Sequence, residues 1–205
     1  MGGRELSKLR TFIAIDPPAE TKEEIAKIIE TLKKKSLSQT ASRRIIWEDP
    51  QKFHFTLVFL GHIPQEKMEV AANVAREVAQ NFPKFTLTGG SSSYFLKEKG
   101  SLDSVIFLNI LDPEKILRIL YKALFKLLAE AGFYPPERLS PHITIARLRG
   151  KHLRVTERKR ILSYVADIDI PILKPFLVSA INVYESIPNG NSTRYHLLKS
   201  FPLGT

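Results

Sequence analysis

The sequence predicts an α+β fold of two facing lobes within one chain of 205 residues. The order strand, helix, strand occurs twice, and each round closes near a strand that contains His-x-Thr. Hydrophobic residues make up 43% of the chain, which is enough to form a buried core. Elsewhere the internal similarity is faint, so the predicted duplication depends on the element order and on the two motifs.

The first half begins with a strand that Pro17-Pro18 ends. Thr21, with Glu24 three residues on, is typical of a capping box that opens a helix. Helical spacing places Val70, Val74 and Val78 on one stripe of a second helix. The elements predicted for this half are a strand at 9–16, a helix from Thr21, strands at 45–47 and 53–61, and a helix at 65–80.

The second half carries clearer boundaries. Asp112-Pro113 predicts an N-cap followed by proline at the first helical position, and Gly132 predicts the end of that helix near Ala131. Asn189-Gly190 predicts a hairpin turn. The other elements predicted here are strands at 84–94 and 104–110, a strand from His142, a short helix at 157–165, and strands at 176–187 and 193–201.

Composition excludes several classes of protein. The absence of cysteine excludes disulfides, thiolate catalysis and cysteine-based metal sites. No apolar run approaches the roughly 20 residues that a membrane-spanning helix needs. We therefore predict a cytoplasmic protein without membrane contact. The net charge of +10 favours a polyanionic partner, above all RNA.

Two short segments repeat one pattern, FHFTLVFLG at 53–61 and PHITIARLRG at 141–150. Successive side chains of a strand point to opposite faces. The His and the Thr of each segment therefore share one face, and the apolar residues between them face the core. If the two strands lie side by side, two imidazoles and two hydroxyls converge: those of His54, Thr56, His142 and Thr144.

This set of groups suits phosphodiester chemistry. Histidine titrates near neutrality, so one imidazole can act as a base while the other acts as an acid. Threonine hydroxyls donate hydrogen bonds to an anion. A metal site is the rival interpretation, but no third histidine or carboxylate stands at ligand spacing, so we predict neither metal nor cofactor. A lone His is usually structural, and surface or packing roles are expected for His62, His152 and His196.

These residues resemble the 2H phosphoesterase superfamily, named for its two His-x-Thr motifs. The closer likeness is to the RNA 2′,3′-cyclic phosphodiesterases, also known as 2′-5′ RNA ligases. It covers nearly the whole chain, through LRTFIAIDPP, IIWEDPQKFHFTLVFLGHI, LSPHITIARLRG and INVYESIPNGNSTRYHLLKSFPL in the family's order.

The resemblance implies a bilobal fold in which two antiparallel sheets flank a central cleft, with helices packed outside. It implies metal-independent opening of a terminal 2′,3′-cyclic phosphate of RNA to a 2′-phosphate. His54 would be the proton donor to the departing 3′ oxygen, and His142 the proton acceptor that activates water. Thr56 and Thr144 would bind the phosphate.

The family's second motif often carries an arginine five residues after its histidine, which here is Arg147. An odd offset points away from the cleft on a regular strand, so Arg147 needs a bulge or a strand end to reach phosphate. The alternative is a surface arginine that binds the RNA backbone or is simply solvated. Phe12 and Trp47 are candidates for base stacking, although a core role is favoured for both.

We therefore predict that residues 1–205 form a single domain of two pseudo-symmetric, intertwined lobes with one motif each. The predicted protein is a monomeric enzyme of RNA processing that acts on RNA ends, such as those of tRNA fragments. The same acid–base pair could also run 2′-5′ ligation. Two alternatives stay open: a phosphodiesterase for small cyclic nucleotides or 2′-5′ oligoadenylates, and a non-catalytic RNA-binding module.

Overall fold

The computed structural model describes residues 8–35, 44–95, 103–149, 154–190 and 192–204. These ranges contain nine strands and four α-helices, which confirms the predicted α+β class. In chain order they are β1 (Leu9–Ile15), α1 (Ala19–Lys35), β2 (Ile45–Trp47), β3 (Phe55–Ile63), α2 (Gln65–Gln80), β4 (Phe85–Phe95), β5 (Asp103–Leu111), α3 (Ile116–Glu130), β6 (His142–Arg149), α4 (Val155–Ala166), β7 (Phe176–Val178), β8 (Ala180–Asn189) and β9 (Ser192–Pro202).

The strands form one curled antiparallel sheet in the order β7-β4-β5-β6-β3-β1-β8-β9, with β2 paired to β6. The sheet has two halves, and they meet where β3 lies beside β6. One residue pair, Phe55 with Ile143, joins the two halves at this point. The two sheets that the resemblance implies are thus continuous, and the two strands that carry the motifs are neighbours.

The helices bury apolar stripes against the sheet and against each other. In α1 this stripe contains Ile25 and Leu32, which are fully buried. The stripe predicted for α2 was wrong in part, because Val70 is 42% exposed and alanines occupy most of the buried face. Small side chains on that face suit α2, which packs closely on α3, β8 and β9.

The predicted capping box at Thr21 was wrong, because α1 begins two residues earlier. The carbonyl of Pro18 accepts a hydrogen bond from the Lys22 amide at 3.0 Å, so the first turn forms directly after the two prolines. The fixed φ of proline is already suited to the start of a helix. Thr21 is buried within the first turn, and the Glu24 carboxylate accepts from the Lys174 amide.

The start predicted for α3 was also wrong, since Pro113 lies in a turn and the helix begins at Ile116. Lys115 has a φ of 61°, which interrupts the helical path. Asp112 still acts as a cap, because its carboxylate accepts hydrogen bonds from the amides of Leu117 and Arg118. The predicted end was correct, with Gly132 at a φ of 79°.

The last elements follow the prediction with one difference. The strand predicted at 176–187 is two strands, β7 and β8, and they pair with different partners. β8 and β9 form the predicted hairpin, whose turn contains Gly190 at a φ of 57°. Among the described helices, none combines the length and the apolar character needed to cross a membrane.

Candidate active site

A cleft of about 810 Å³ opens at the junction of β3 and β6. It is lined from both halves of the sheet, by β1 and β3 on one side and by β2, β5 and β6 on the other, with β9 and the β8–β9 turn at its edge. All the predicted site residues line it: His54, Thr56, His142, Thr144 and Arg147.

The pairing of Phe55 with Ile143 explains why the two motifs converge. Both residues are fully buried, so the residues on either side of them face the cleft. An antiparallel register around this pair sets His54 across from Thr144 and Thr56 across from His142. Each imidazole therefore has the hydroxyl of the other motif as its neighbour across the junction.

A β-bulge brings Arg147 into the cleft. In β6, Thr144 and Ala146 pair with consecutive residues of β5, so Ile145 is the extra residue. Ile145 and Ala146 are both buried, and the alternation of faces is shifted by one position beyond them. Arg147 thus lines the same cleft as Thr144. The bulge that the sequence required for Arg147 is present.

The first motif contains a bulge at the matching position. Thr56 and Val58 pair with consecutive residues of β1, so Leu57 is the extra residue. This bulge places Phe59 in the cleft lining, five residues after His54. The two halves of the site are therefore alike in backbone and differ in side chain, with a cation at this position in one and an aromatic ring in the other.

Both imidazoles are held in the same way. Nδ1 of His54 lies 2.7 Å from the Lys52 carbonyl oxygen, and Nδ1 of His142 lies 2.7 Å from the Ser140 carbonyl oxygen. A carbonyl oxygen can only accept, so each Nδ1 donates its proton. Nε2 is then the nitrogen through which each ring can exchange a proton with a bound group.

Burial lowers the pKa of both histidines below the ordinary value of 6.5. The hydrogen bond to a backbone carbonyl opposes this shift in each case. The neighbouring charges differ, however. The carboxylates of Asp16 and Glu48 also raise the pKa of His54, and the Lys22 ammonium lowers it by less than either raises it; the Arg147 guanidinium lowers the pKa of His142 further. Burial acts against a proton on both rings, whereas the neighbouring charges favour a proton on His54 and disfavour one on His142.

Aromatic side chains enclose His54. The Phe12 ring centroid lies 5.1 Å from that of His54, and the Tyr195 ring meets His54 edge-on at 4.9 Å. Phe12 is buried, in agreement with its predicted core role, while Trp47 is half-buried and lines the cleft. Beside this cluster the Tyr184 hydroxyl donates to the Asp16 carboxylate at 2.7 Å, and with burial as the main cause its pKa is raised.

Glu48 and Tyr195 contact Arg147, and neither was predicted from the sequence. Arg147 Nε donates to Glu48 Oε1 at 2.9 Å, and the Glu48 amide donates to the carbonyl oxygen of the bulge residue Ile145. Burial raises the pKa of the Tyr195 hydroxyl, and the positive charge of the nearby Arg147 opposes this shift. Glu48 and Arg147 are 99 positions apart in the chain. Glu48 and Tyr195 both lie in segments that resemble the family, but no local spacing in the sequence could have paired either of them with Arg147.

The remaining histidines lie outside the cleft or outside the described residues. His62 is exposed, and His196 is exposed with Nδ1 3.8 Å from a Glu185 carboxylate oxygen. The surface roles predicted for these two are consistent with their positions, and His152 lies outside the described ranges. Across those ranges, no three His, Asp or Glu side chains are grouped as metal ligands would be.

Comparison with known proteins gives consistent matches. The model of the 2′-5′ RNA ligase superfamily matches residues 17–186. The RNA 2′,3′-cyclic phosphodiesterase of Thermotoga maritima is 34% identical over 142 residues, which are 69% of this chain and 71% of that protein. The protein of the same name from Methanocaldococcus jannaschii is 26% identical over 195 residues, covering 94% and 100%. The crystal structure of E. coli LigT complexed with 3′-AMP matches with a TM-score of 0.70 at 26% identity, over 97% of this chain and 99% of that chain.

Proposed function

Because the chain belongs to the 2′-5′ RNA ligase superfamily, we propose that it is an RNA 2′,3′-cyclic phosphodiesterase. It hydrolyses the terminal cyclic phosphate of an RNA to a 2′-phosphate. The observation that carries this proposal is the convergence of two His–Thr pairs on one cleft around the Phe55–Ile143 pair. The relatives named RNA 2′,3′-cyclic phosphodiesterase support it.

In the proposed mechanism, His142 Nε2 accepts a proton from a water molecule whose oxygen attacks phosphorus. The bond from phosphorus to the 3′ oxygen breaks, and His54 Nε2 gives its proton to that oxygen. The products are a 2′-phosphate and a 3′-hydroxyl. One proton is gained by His142 and one is lost by His54, so exchange with solvent restores both rings. The same step with a 5′-hydroxyl in place of water as the nucleophile, and with the 3′ oxygen again leaving, is a 2′-5′ ligation.

The charges around the two rings support this division of roles. The carboxylates of Asp16 and Glu48 favour the protonated form of His54, as an acid requires. The Arg147 guanidinium favours the neutral form of His142, as a base requires. Thr56, Thr144 and Arg147 hold the nonbridging phosphate oxygens in this scheme, through two hydroxyl donors and one cation.

We propose further that the two lobes are pseudo-symmetric. The matched bulges at Leu57 and Ile145 support this, as do the matched bonds from each histidine to the carbonyl two residues earlier. The substrate is the 3′ end of an RNA, such as that of a tRNA fragment. The protein acts on it as a monomer in the cytoplasm.

The proposal is tested with a short RNA that ends in a 2′,3′-cyclic phosphate, incubated with the protein in EDTA. Chromatography against both monophosphate standards identifies the product. A 2′-phosphate is expected, since the 3′ oxygen is the leaving group. A 3′-phosphate would mean that the other bond breaks. Turnover that needs added metal would show that the two histidines are ligands and not an acid–base pair.

The pH dependence of kcat/KM is expected to be bell-shaped with its maximum below about pH 6.5. Burial lowers the pKa of both histidines, so the acid loses its proton, and the rate falls, as the pH rises through the higher of the two values. At lower pH the base gains a proton, and the rate falls again. Initial rates from about pH 4.5 to about pH 9 measure this profile. A maximum in the alkaline range, or a single limb, would contradict the paired mechanism.

A further inference from the structure

A second groove, of about 330 Å³, lies beside the cleft. It is formed by the end of β3, the beginning of α2 and the segment that follows α3. Gly132, at a φ of 79°, turns the chain after α3 so that this segment reaches α2. We call it the side groove, and the lining residues that matter here are Phe59, Leu60, Ile63, Lys67, Phe133 and Tyr134.

The side groove is continuous with the cleft, because Phe59 lines both. The Phe59 side chain is 66% exposed and that of Tyr134 is 98% exposed. Exposed rings such as these are the surfaces on which unpaired bases stack, since every base offers a planar face. The apolar part of the groove is suited to bases, whose faces can stack on these rings.

A cation stands at the same groove. Lys67 Nζ lies 5.2 Å from the centroid of the Phe133 ring, which holds the ammonium at the groove wall. The Lys67 side chain is exposed and belongs to the first turn of α2. Stacking surfaces next to a cation are the combination that proteins use to bind single-stranded nucleic acid. The net charge of +10 adds to this preference.

The proposed chemistry places the side groove on the correct side of the cleft. His54 gives its proton to the ribose 3′ oxygen, so the nucleoside lies on the His54 side. The Phe12 ring neighbours both His54 and Phe59, with centroid distances of 5.1 Å and 6.0 Å. An RNA strand that leads away from the reacting end on this side meets Phe59 and then the side groove.

We propose that the side groove binds the single-stranded RNA immediately 5′ of the cyclic phosphate, with bases stacked on Phe59 and Tyr134 and a backbone phosphate at Lys67. This inference rests on the proposed function. It makes an RNA oligonucleotide a better substrate than a cyclic mononucleotide, which fills the cleft alone. It therefore bears on the choice between RNA ends and small nucleotides as substrates.

The test compares Tyr134→Ala and Lys67→Gln with the wild type on two substrates. One is a short RNA that ends in a 2′,3′-cyclic phosphate, and the other is a 2′,3′-cyclic mononucleotide. Each variant is expected to lower kcat/KM for the RNA by about tenfold, by analogy with the loss of one stacking or phosphate contact, without changing turnover of the mononucleotide. Lys67→Gln should also reduce the salt dependence of RNA binding by about one counterion.

Tyr164→Ala and Lys159→Gln on α4 are the matched controls, since neither residue lines the cleft or the side groove. Equal losses on both substrates, or no loss on the RNA, would overturn the inference. If neither variant lowers kcat/KM for the RNA, a protein partner becomes the better candidate occupant of the side groove. Binding of an RNA that ends in a 2′-phosphate, followed by fluorescence anisotropy, is the second arm. If wild type turns over neither substrate but Tyr134→Ala still weakens this binding, the side groove stands and the proposed activity fails.

Discussion

His54→Ala and His142→Ala are each expected to lower kcat on RNA 2′,3′-cyclic phosphate by about 10²- to 10⁴-fold, the usual contribution of one general acid or base. Both rings line the cleft, and each is oriented by a bond from Nδ1 to a backbone carbonyl. In the proposed mechanism, removing either ring leaves one of the two proton transfers without its acid or base. Single-turnover rates with saturating enzyme measure the loss, because they separate chemistry from binding.

The double variant tests whether the two histidines act as a pair. A joint mechanism predicts that His54→Ala together with His142→Ala loses little more than the worse single variant. His62→Ala is the matched control, since that ring is exposed and outside the cleft. Losses that multiply in the double variant, or residual activity with an unchanged bell-shaped pH profile, would argue against paired acid–base catalysis.

Arg147→Ala is expected to lower kcat/KM by about 10- to 100-fold, which is the range for one hydrogen bond to a charged group. Arg147→Lys should recover only part of this loss, because an ammonium keeps the charge but cannot bond Glu48 and phosphate with the same planar geometry. Steady-state kinetics at two salt concentrations measure both variants. The exposed Arg160 on α4 provides the matched control, as Arg160→Ala.

The Glu48→Gln variant tests whether Arg147 acts through the orientation of its guanidinium or only through its positive charge. The Glu48 carboxylate accepts from Arg147 Nε, so it fixes the plane of the guanidinium. It also puts a negative charge in the cleft where we propose that the substrate phosphate binds. Its neutral variant is therefore expected to lower kcat while leaving KM unchanged or reduced. If the loss caused by Arg147→Ala disappears at high salt, and Glu48→Gln changes neither kcat nor KM, Arg147 is a surface residue that contacts the RNA backbone and does not hold the reacting phosphate.

Local patterns in the sequence were sufficient for most of the elements and for the four residues of the two motifs. Alternation in FHFTLVF and HITIAR determines which side chains share a face, because a strand has a period of two. The helix end at Gly132 and the turn at Gly190 could also be predicted locally, since both positions adopt a positive φ, which favours glycine. The helix starts were predicted less accurately, because the backbone at Lys115 and at Pro18 shifts them by a few residues.

Local sequence pattern was therefore enough for the α+β class, for the two His–Thr pairs and for the face on which each pair lies. The contact between β3 and β6 came from the three-dimensional fold, as did the bulges at Leu57 and Ile145 that turn Phe59 and Arg147 into the cleft and the bond from Arg147 to Glu48. The two kinds of feature differ in the sequence distance over which they are set. Side-chain alternation depends on adjacent residues, whereas a bulge and an ion pair across 99 positions depend on how distant strands meet.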